Sequence, residues 1–309
     1  MDTDTRNPGR TAHPRRSYVG AGSTREPARP QVSPELIAAL AARLRPRDSW
    51  LLELLHEHRV LTTQQIRQLA FSSISAATHR MLTLWRLRAV ERFRPAVSAG
   101  SAPLHYVLGP AGAAILADRR DMSTAEFGYR PDHALALATS AKLAHLVGSH
   151  TLFTALVDYA RPRPSAELEE WWSERRCAAV WGKIVRPDGY GTWRHDGRRL
   201  SFFTEYDTGT EPLNRLLAKI GDYAALAEMT RITSTPALFV LPNPTRERHL
   251  HAHTHPAVPP VATTTPQALQ AAGGPAGPAW QPTTTTYQRQ RLIDLTTLAH
   301  TTTNRGGES

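Results

Sequence analysis

The chain has 309 residues, a formal net charge of +10 and a pI near 10.3, enough for two modest domains with tails. No stretch is apolar for long enough to span a bilayer, the N-terminus (Met1-Asp2-Thr3-Asp4) lacks a basic-then-apolar leader, and the single cysteine, Cys177, has no intramolecular partner. A cytoplasmic protein is therefore expected, with a polyanion as partner, nucleic acid before membrane.

Residues 1–33 are rich in Pro, Gly, Arg and Ser and read as a disordered basic arm. Residues 34–121 follow with helical periodicity. Trp50, Leu51, Leu54, Leu55 and His58 share one helical face behind Asp48 or Ser49 as cap. Thr62-Thr63-Gln64-Gln65 reads as a capping box that opens a second helix burying Ile66, Leu69 and Ala70. Ser72 and Ser73 cap a third, with Ile74, Ala77, Met81, Leu84 and Leu87 inward and Ser75, Thr78, His79 and Arg86 on its outer face. Val90 to Arg94, a Gly/Ser/Pro turn over Ser98 to Pro103, and Leu104 to Leu108 make two strands around a loop. Gly109-Pro110-Ala111-Gly112 starts a further helix.

Three short helices followed by a two-stranded wing make a winged helix-turn-helix. Its third helix would enter the major groove of double-stranded DNA, with Ser75, Thr78, His79 and Arg86 toward the bases. Arg92 and Arg94 would lie on phosphates.

Residues 122–132 read as a linker, residues 133–242 as a second unit, and residues 243–309 as a His/Pro/Thr-rich, largely disordered tail. Ile293 to Ala299 is a short helix candidate. The second unit starts with a helix from Ala138 to Tyr159. Leu200 to Asp207 is a strand whose period of two puts Phe203, Glu205 and Asp207 on one face. Leu213, Leu216, Leu217, Ile220 and Tyr223 mark the next helix, and Leu238 to Leu241 a short buried strand.

Carboxylates inside strand-rich structure are costly unless paired or bound to a cation. An Asp188 at one strand start and Glu205 on its neighbour meet across a hairpin, and with Asp207 they offer hard oxygens suited to Mg²⁺. Lys219, one helix later, is placed to aim an ammonium at the same spot. Elsewhere the chain meets its need for positive charge with arginine, lysine occurring only at 142, 183 and 219. A lysine, unlike a guanidinium, is a compact charge whose pKa responds to burial.

Two further signals are read as incidental. His249, His251, His253 and His255 alternate in a Pro/Thr-rich tract, which would place them on one face of a strand, but no cysteine or carboxylate completes a metal set. Cys177 reads as a small packed residue. The runs Thr263–Thr265, Thr283–Thr286 and Thr301–Thr303 read as solvated tail.

Pro187-Asp188 followed by Glu205-Tyr206-Asp207 resembles a variant PD-(D/E)XK nuclease core. Asp207 stands where that core carries its lysine, so the resemblance implies that Lys219 takes the lysine's part. It also implies that Glu174 supplies the acidic residue of the first core helix. Several further pieces join these: Leu61-Thr62-Thr63-Gln64-Gln65-Ile66, His105-Tyr106-Val107-Leu108-Gly109, His145-Leu146, Arg186 to Gly189, Phe203 to Glu211, and Lys219-Ile220-Gly221-Asp222-Tyr223. Together, over about residues 47–242, they resemble the replication-relaxation family of actinobacterial and plasmid proteins.

The implied fold is mixed: a winged helix-turn-helix, then a small restriction-endonuclease-like α/β domain, with disordered termini. The implied role is DNA binding in plasmid or mobile-element replication or relaxation, with a homodimer and replication or transfer proteins as further candidate partners. Two alternatives stay open. One is a transcriptional regulator whose C-terminal domain binds a partner or dimerises. The other is an active Mg²⁺-dependent endonuclease using Asp188, Glu205, Lys219 and Glu174.

Overall fold

The computed structural model describes residues 29–96, 100–254, 259–283 and 288–297. Among these, eleven α-helices and two sheets form a mixed α/β fold, and no helix is long and apolar enough to cross a membrane.

Helix α1 (Pro34–Ala41) starts behind a Ser33 cap and α2 (Pro46–His58) behind Arg45. The second start lies three residues earlier than the sequence suggests. Pro46 occupies the first turn, where its missing N–H costs nothing. Asp48 reaches back to accept from the Arg45 N–H at 2.8 Å, so it closes the first turn instead of capping it. Strand β1 (Leu61–Thr62) leads into α3 (Thr63–Ala70). The expected capping box is present: the Thr62 hydroxyl accepts from the Gln65 N–H at 3.2 Å, and the Gln65 amide oxygen accepts from the Thr62 N–H at 3.0 Å. Ser73 caps α4 (Ile74–Arg86). Strands β2 (Val90–Phe93) and β3 (His105–Leu108) then pair antiparallel, β3 lying between β1 and β2. The loop joining them includes residues 97–99, so part of the expected turn lies outside the described residues.

Helix α5 (Pro110–Asp118) closes this unit, whose core runs from Leu40 through Leu55, Ile66, Met81 and Tyr106 to Leu116. The first described residues also belong to it. The Arg29 guanidinium lies 4.5 Å over the Trp85 ring and pairs with Glu91 at 2.5 Å, so the last part of the expected free arm is held by cation–π and ionic contacts. The remainder of that arm, 1–28, lies outside the described residues.

The segment read as a linker is not free either. Phe127 is buried in the same core and stacks on His56 at 4.3 Å. Helix α6 (Pro131–Leu135) and a 3-10 turn then lead to α7 (Leu143–Ala160). The junction is sealed by Val60 and Val107 against Leu137 and Leu143. Polar ties join α3 to α7: Gln65 donates to the Val147 carbonyl at 2.8 Å, Arg67 pairs with Asp158 at 2.8 Å, and Thr154 donates to Gln68 at 2.9 Å.

Strand β4 (Ala166–Ser173), α8 (Glu174–Trp181), β5 (Gly189–His195) and β6 (Arg198–Tyr206) follow. The β5–β6 turn is Asp196-Gly197, both at positive φ, the backbone a two-residue hairpin turn requires and the reason for glycine there. Helix α9 (Leu213–Thr230) crosses over to β7 (Ala237–Val240), which runs parallel to β6. Phe202 faces α7 with Phe153 and Leu156, while Phe203 faces α9 with Leu216, Ile220 and Tyr223, as the two-residue period demands. Gly148 lets α7 approach β6 closely, since a Cβ there would lie 2.2 Å from the Tyr206 ring.

The chain after Pro242 departs most from expectation. Helix α10 (Pro244–His253), β8 (Val261–Thr264), α11 (Pro266–Ala271), β9 (Pro278–Pro282) and β10 (Gln290–Arg291) extend the sheet to the order β10-β9-β8-β7-β6-β5-β4. Thr263 and Thr264 are fully buried, and Thr265 caps α11. Composition misled here because threonine is polar in a list but β-branched in a strand. Its hydroxyl is also satisfiable in a core: Thr263 donates to Glu247 at 2.6 Å. Trp280 is fully buried with its N–H on the Pro275 carbonyl. Leu292, Ile293 and Leu295 of a short 3-10 helix pack under the sheet.

The alternating histidines lie on α10, where a helical period spreads them around the axis instead of aligning them. His251 bonds Thr263 and His253 bonds the His249 carbonyl, and His255 lies outside the described residues. So do residues 284–286 of the second threonine run and all of the third.

Candidate functional site

Two groups of residues singled out by the sequence lie in very different surroundings. On α4, Ser75, Thr78, His79 and Arg86 are all exposed, while Ala77, Met81, Leu84 and Trp85 point into the core. The helix is fixed from behind. Arg80 grips the fully buried Asp48 of α2 through Nε at 3.0 Å and also donates to the Arg43 carbonyl. Helix α3 is tied to α7, and the outer face of α4 stays exposed. Beside it, Arg94 is exposed and donates to Ser101 at 2.7 Å. Arg92 is half-buried with its guanidinium 4.0 Å over the Trp85 ring, so it is less free than its neighbour.

The acidic group is closed. Gly189 pairs with Thr204 in the β5–β6 ladder, which sets Asp188 and Glu205 opposite one another as the sequence suggests. Glu205 is buried. Its Oε2 accepts from Lys219 Nζ at 2.6 Å and its Oε1 from the Tyr223 hydroxyl at 2.8 Å. Lys219 and Tyr223 are four residues apart on α9 and therefore share a face. Asp188 accepts from the Tyr206 N–H at 2.7 Å through Oδ2 and meets His145 Nε2 at 2.9 Å through Oδ1.

The electrostatics follow from burial. Loss of water, then the charge of Asp188, pushes the Glu205 carboxyl up to about 8, against the pull of Lys219 and Tyr223. Desolvation acts to lower the Lys219 pKa, but Glu205 and Asp188 outweigh it, and the ammonium is held above its ordinary value. Burial and Glu205 raise Tyr223 well above the usual phenol range, so it stays a donor. The hydrogen bond to Asp188 raises His145 in spite of its desolvation.

Asp188, Glu205 and Lys219 are thus brought together. Glu174 and Asp207 are not part of the contact. Glu174 is exposed at the start of α8 and acts on His145 only through its charge. Asp207 lies just past β6, where Arg246 of α10 pairs with one oxygen and the Gly209 N–H takes the other at 2.8 Å. Arg246 was missed because α10 was read as tail. The sequence offers His145 only within the resemblance, and Tyr223 there and as an apolar position of α9; its spacing of four from Lys219 is the signal that points to its role.

A divalent ion needs free oxygens, and Mg²⁺ needs them in near-octahedral array. All four carboxylate oxygens of Asp188 and Glu205 already hold protein donors, with the Lys219 ammonium where a cation would draw them together. Among the described residues no group of three His, Cys, Asp or Glu is arranged to hold a metal. The residues as placed do not fit Mg²⁺. A cleft of about 1050 Å³ between α7, the α3–α4 turn and α11 is lined in part by Thr204, Glu205 and Tyr206. It lies on the α7 side, whereas the Glu205 oxygens face α9.

Cys177 is buried, and burial pushes its thiol up to about 12, in keeping with a packed residue.

Residues 52–240 match the model of the replication-relaxation family. The chain belongs to that family. The match spans the N-terminal unit from α2 onward and the larger sheet as far as β7, and stops before the C-terminal strands. No curated protein and no solved structure matches the chain significantly. Family membership ties the protein to a role related to replication or relaxation.

Proposed function

We propose that this protein binds double-stranded DNA in plasmid or mobile-element replication or relaxation. The reader is a winged helix-turn-helix built from α2, α3, α4 and the β1-β3-β2 sheet. Helix α4 lies in the major groove and the β2–β3 loop rests on phosphates. One observation carries this reading: Ser75, Thr78, His79 and Arg86 are all exposed on the outer face of α4, whose other face packs into the core.

Behind it stands a nuclease-like domain. The order α7, three antiparallel strands β4-β5-β6, α9 and the parallel β7 supports that reading. So does the placement of Asp188, Glu205 and Lys219 within it. Its acidic cluster is neutralised by the protein's own donors, which favours a degenerate domain used for positioning over an active endonuclease.

The test uses the whole chain, because α3 rests on α7. Fluorescence anisotropy with duplex DNA should show binding that weakens steeply with salt. Changes at Ser75, Thr78 or His79 should alter preference among sequences, whereas Arg94→Ala should weaken all sequences alike. Absence of binding at low salt would sink the proposal. Mg²⁺ should leave the melting temperature unchanged; a rise abolished by Glu205→Gln would restore the endonuclease reading.

A further inference from the structure

A second positively charged feature lies away from α4 and the wing. A groove of about 490 Å³ runs between the winged unit and α8. It is lined by Arg59 at the end of α2, Arg130 before α6, Arg175 on α8 and Arg186 before β5, with His56 and Tyr129 supplying ring surface. Among the described residues, no hydrogen bond or ion pair engages the side chains of Arg59 or Arg130. Arg175 is only loosely held, at 3.7 Å from Glu57 and 3.4 Å from the His56 carbonyl. Two carboxylates, Glu57 and Glu174, share the groove. Glu57 is taken up by the Ser173 N–H and hydroxyl at 3.1 and 2.7 Å.

The positive field is felt within the groove: burial first, then Arg175 and Arg120, lowers His56 to about 4, so its ring is neutral. Leu146, next to His145, and Arg186, two residues before Asp188, also line it. The groove therefore passes residues close in sequence to the Asp188–His145 pair.

We infer that this groove binds single-stranded DNA. Four guanidiniums lining one groove match a phosphodiester backbone, and the Tyr129 ring and the side of the neutral His56 ring not stacked on Phe127 suit bases. Stacking on these rings needs unpaired bases, which one strand offers and a duplex does not. The inference deepens the DNA-binding reading but rests on different residues, so the two fail separately.

The experiment is anisotropy of the full chain with labelled dT12, rU12 and a 20-bp duplex at low salt. Wild type should bind dT12. Arg59→Gln with Arg130→Gln should weaken dT12 binding about tenfold or more and reduce its salt slope by about 1.4, as expected for two lost phosphate contacts. The same variant should bind the duplex within about twofold of wild type, and Ser75→Glu with Thr78→Glu should do the reverse. Both positions are exposed and lack side-chain partners among the described residues, so folding should persist, which an unchanged melting temperature checks. Failure of wild type to bind dT12, unchanged binding by the double Gln variant, or equal losses on dT12 and duplex would each overturn the inference. Tighter binding of rU12 than of dT12 would overturn the assignment to DNA.

Discussion

The outer face of α4 and the cluster around Glu205 carry comparable polar chemistry in opposite states. On α4 the side chains stand in water. At Glu205 each carboxylate oxygen of the central pair already holds a donor from the protein. An open polar face retains its hydrogen-bonding capacity for a partner. A buried one must satisfy itself or lose stability. On the proposed reading recognition lies on α4, while the acidic cluster works inward, tying α7 and α9 to the same end of β6.

The largest test of this contrast removes a partner from the closed cluster. Lys219→Met should destabilise the protein by about 3 kcal/mol near pH 9, because it strands a buried carboxylate. Below pH 8 the loss should shrink, since Glu205 can take up a proton. Chemical denaturation at both pH values would measure it, and an equal loss at both would contradict the assigned burial of charge. Glu205→Gln probes the same point. Its carboxyl is raised from 4.5 to about 8 in the folded protein, so the folded state holds a proton that the unfolded chain has released. Stability should therefore fall as pH rises from about 4.5 to about 8, and the Gln variant should lose that slope, worth up to a few kcal/mol.

The open face should behave otherwise. Ser75→Glu with Thr78→Glu should reduce duplex affinity by about 100-fold through repulsion from phosphates and lost base contacts, with no change in melting temperature. A large drop in melting temperature would mean that these side chains are structural.

The seam between the units offers an intermediate effect. His150 is fully buried beside His58 and Trp171, and burial lowers it to about 4. The unfolded chain binds the proton first, so stability should decline as pH falls from about 6.5 to about 4, by roughly 3 kcal/mol at most. His150→Gln should flatten that acid limb in thermal melts. The smallest effect is expected at Arg94. Its Ala variant should bind duplex a few-fold more weakly, with the salt slope reduced by about 0.9.

Local chemistry made the helices of the N-terminal unit legible. The Thr62–Gln65 box, the Ser73 cap and the alternation of Ala77, Met81 and Leu84 with polar residues are signals contained within a few residues. They survive folding because nothing distant overrides them. The pairing of Asp188 with Glu205 was legible for a similar reason: both flank one hairpin. The start of α2 was misplaced only because Asp48 can close a first turn as readily as cap it.

What the sequence determined by itself was therefore the helical punctuation, the alternation of β6 and the meeting of Asp188, Glu205 and Lys219. Tertiary structure decided the rest. Asp207 alternates onto the expected face, but only the arrival of Arg246 from 39 residues away commits it to an ion pair. Thr263 and Thr264 carry no hydrophobic signature, yet parallel pairing of β8 with β7 puts them in the core. Burial in a sheet depends on which strands flank a segment, and those neighbours come from distant parts of the chain. A carboxylate's fate likewise depends on which donors packing delivers to it, and no local spacing encodes that.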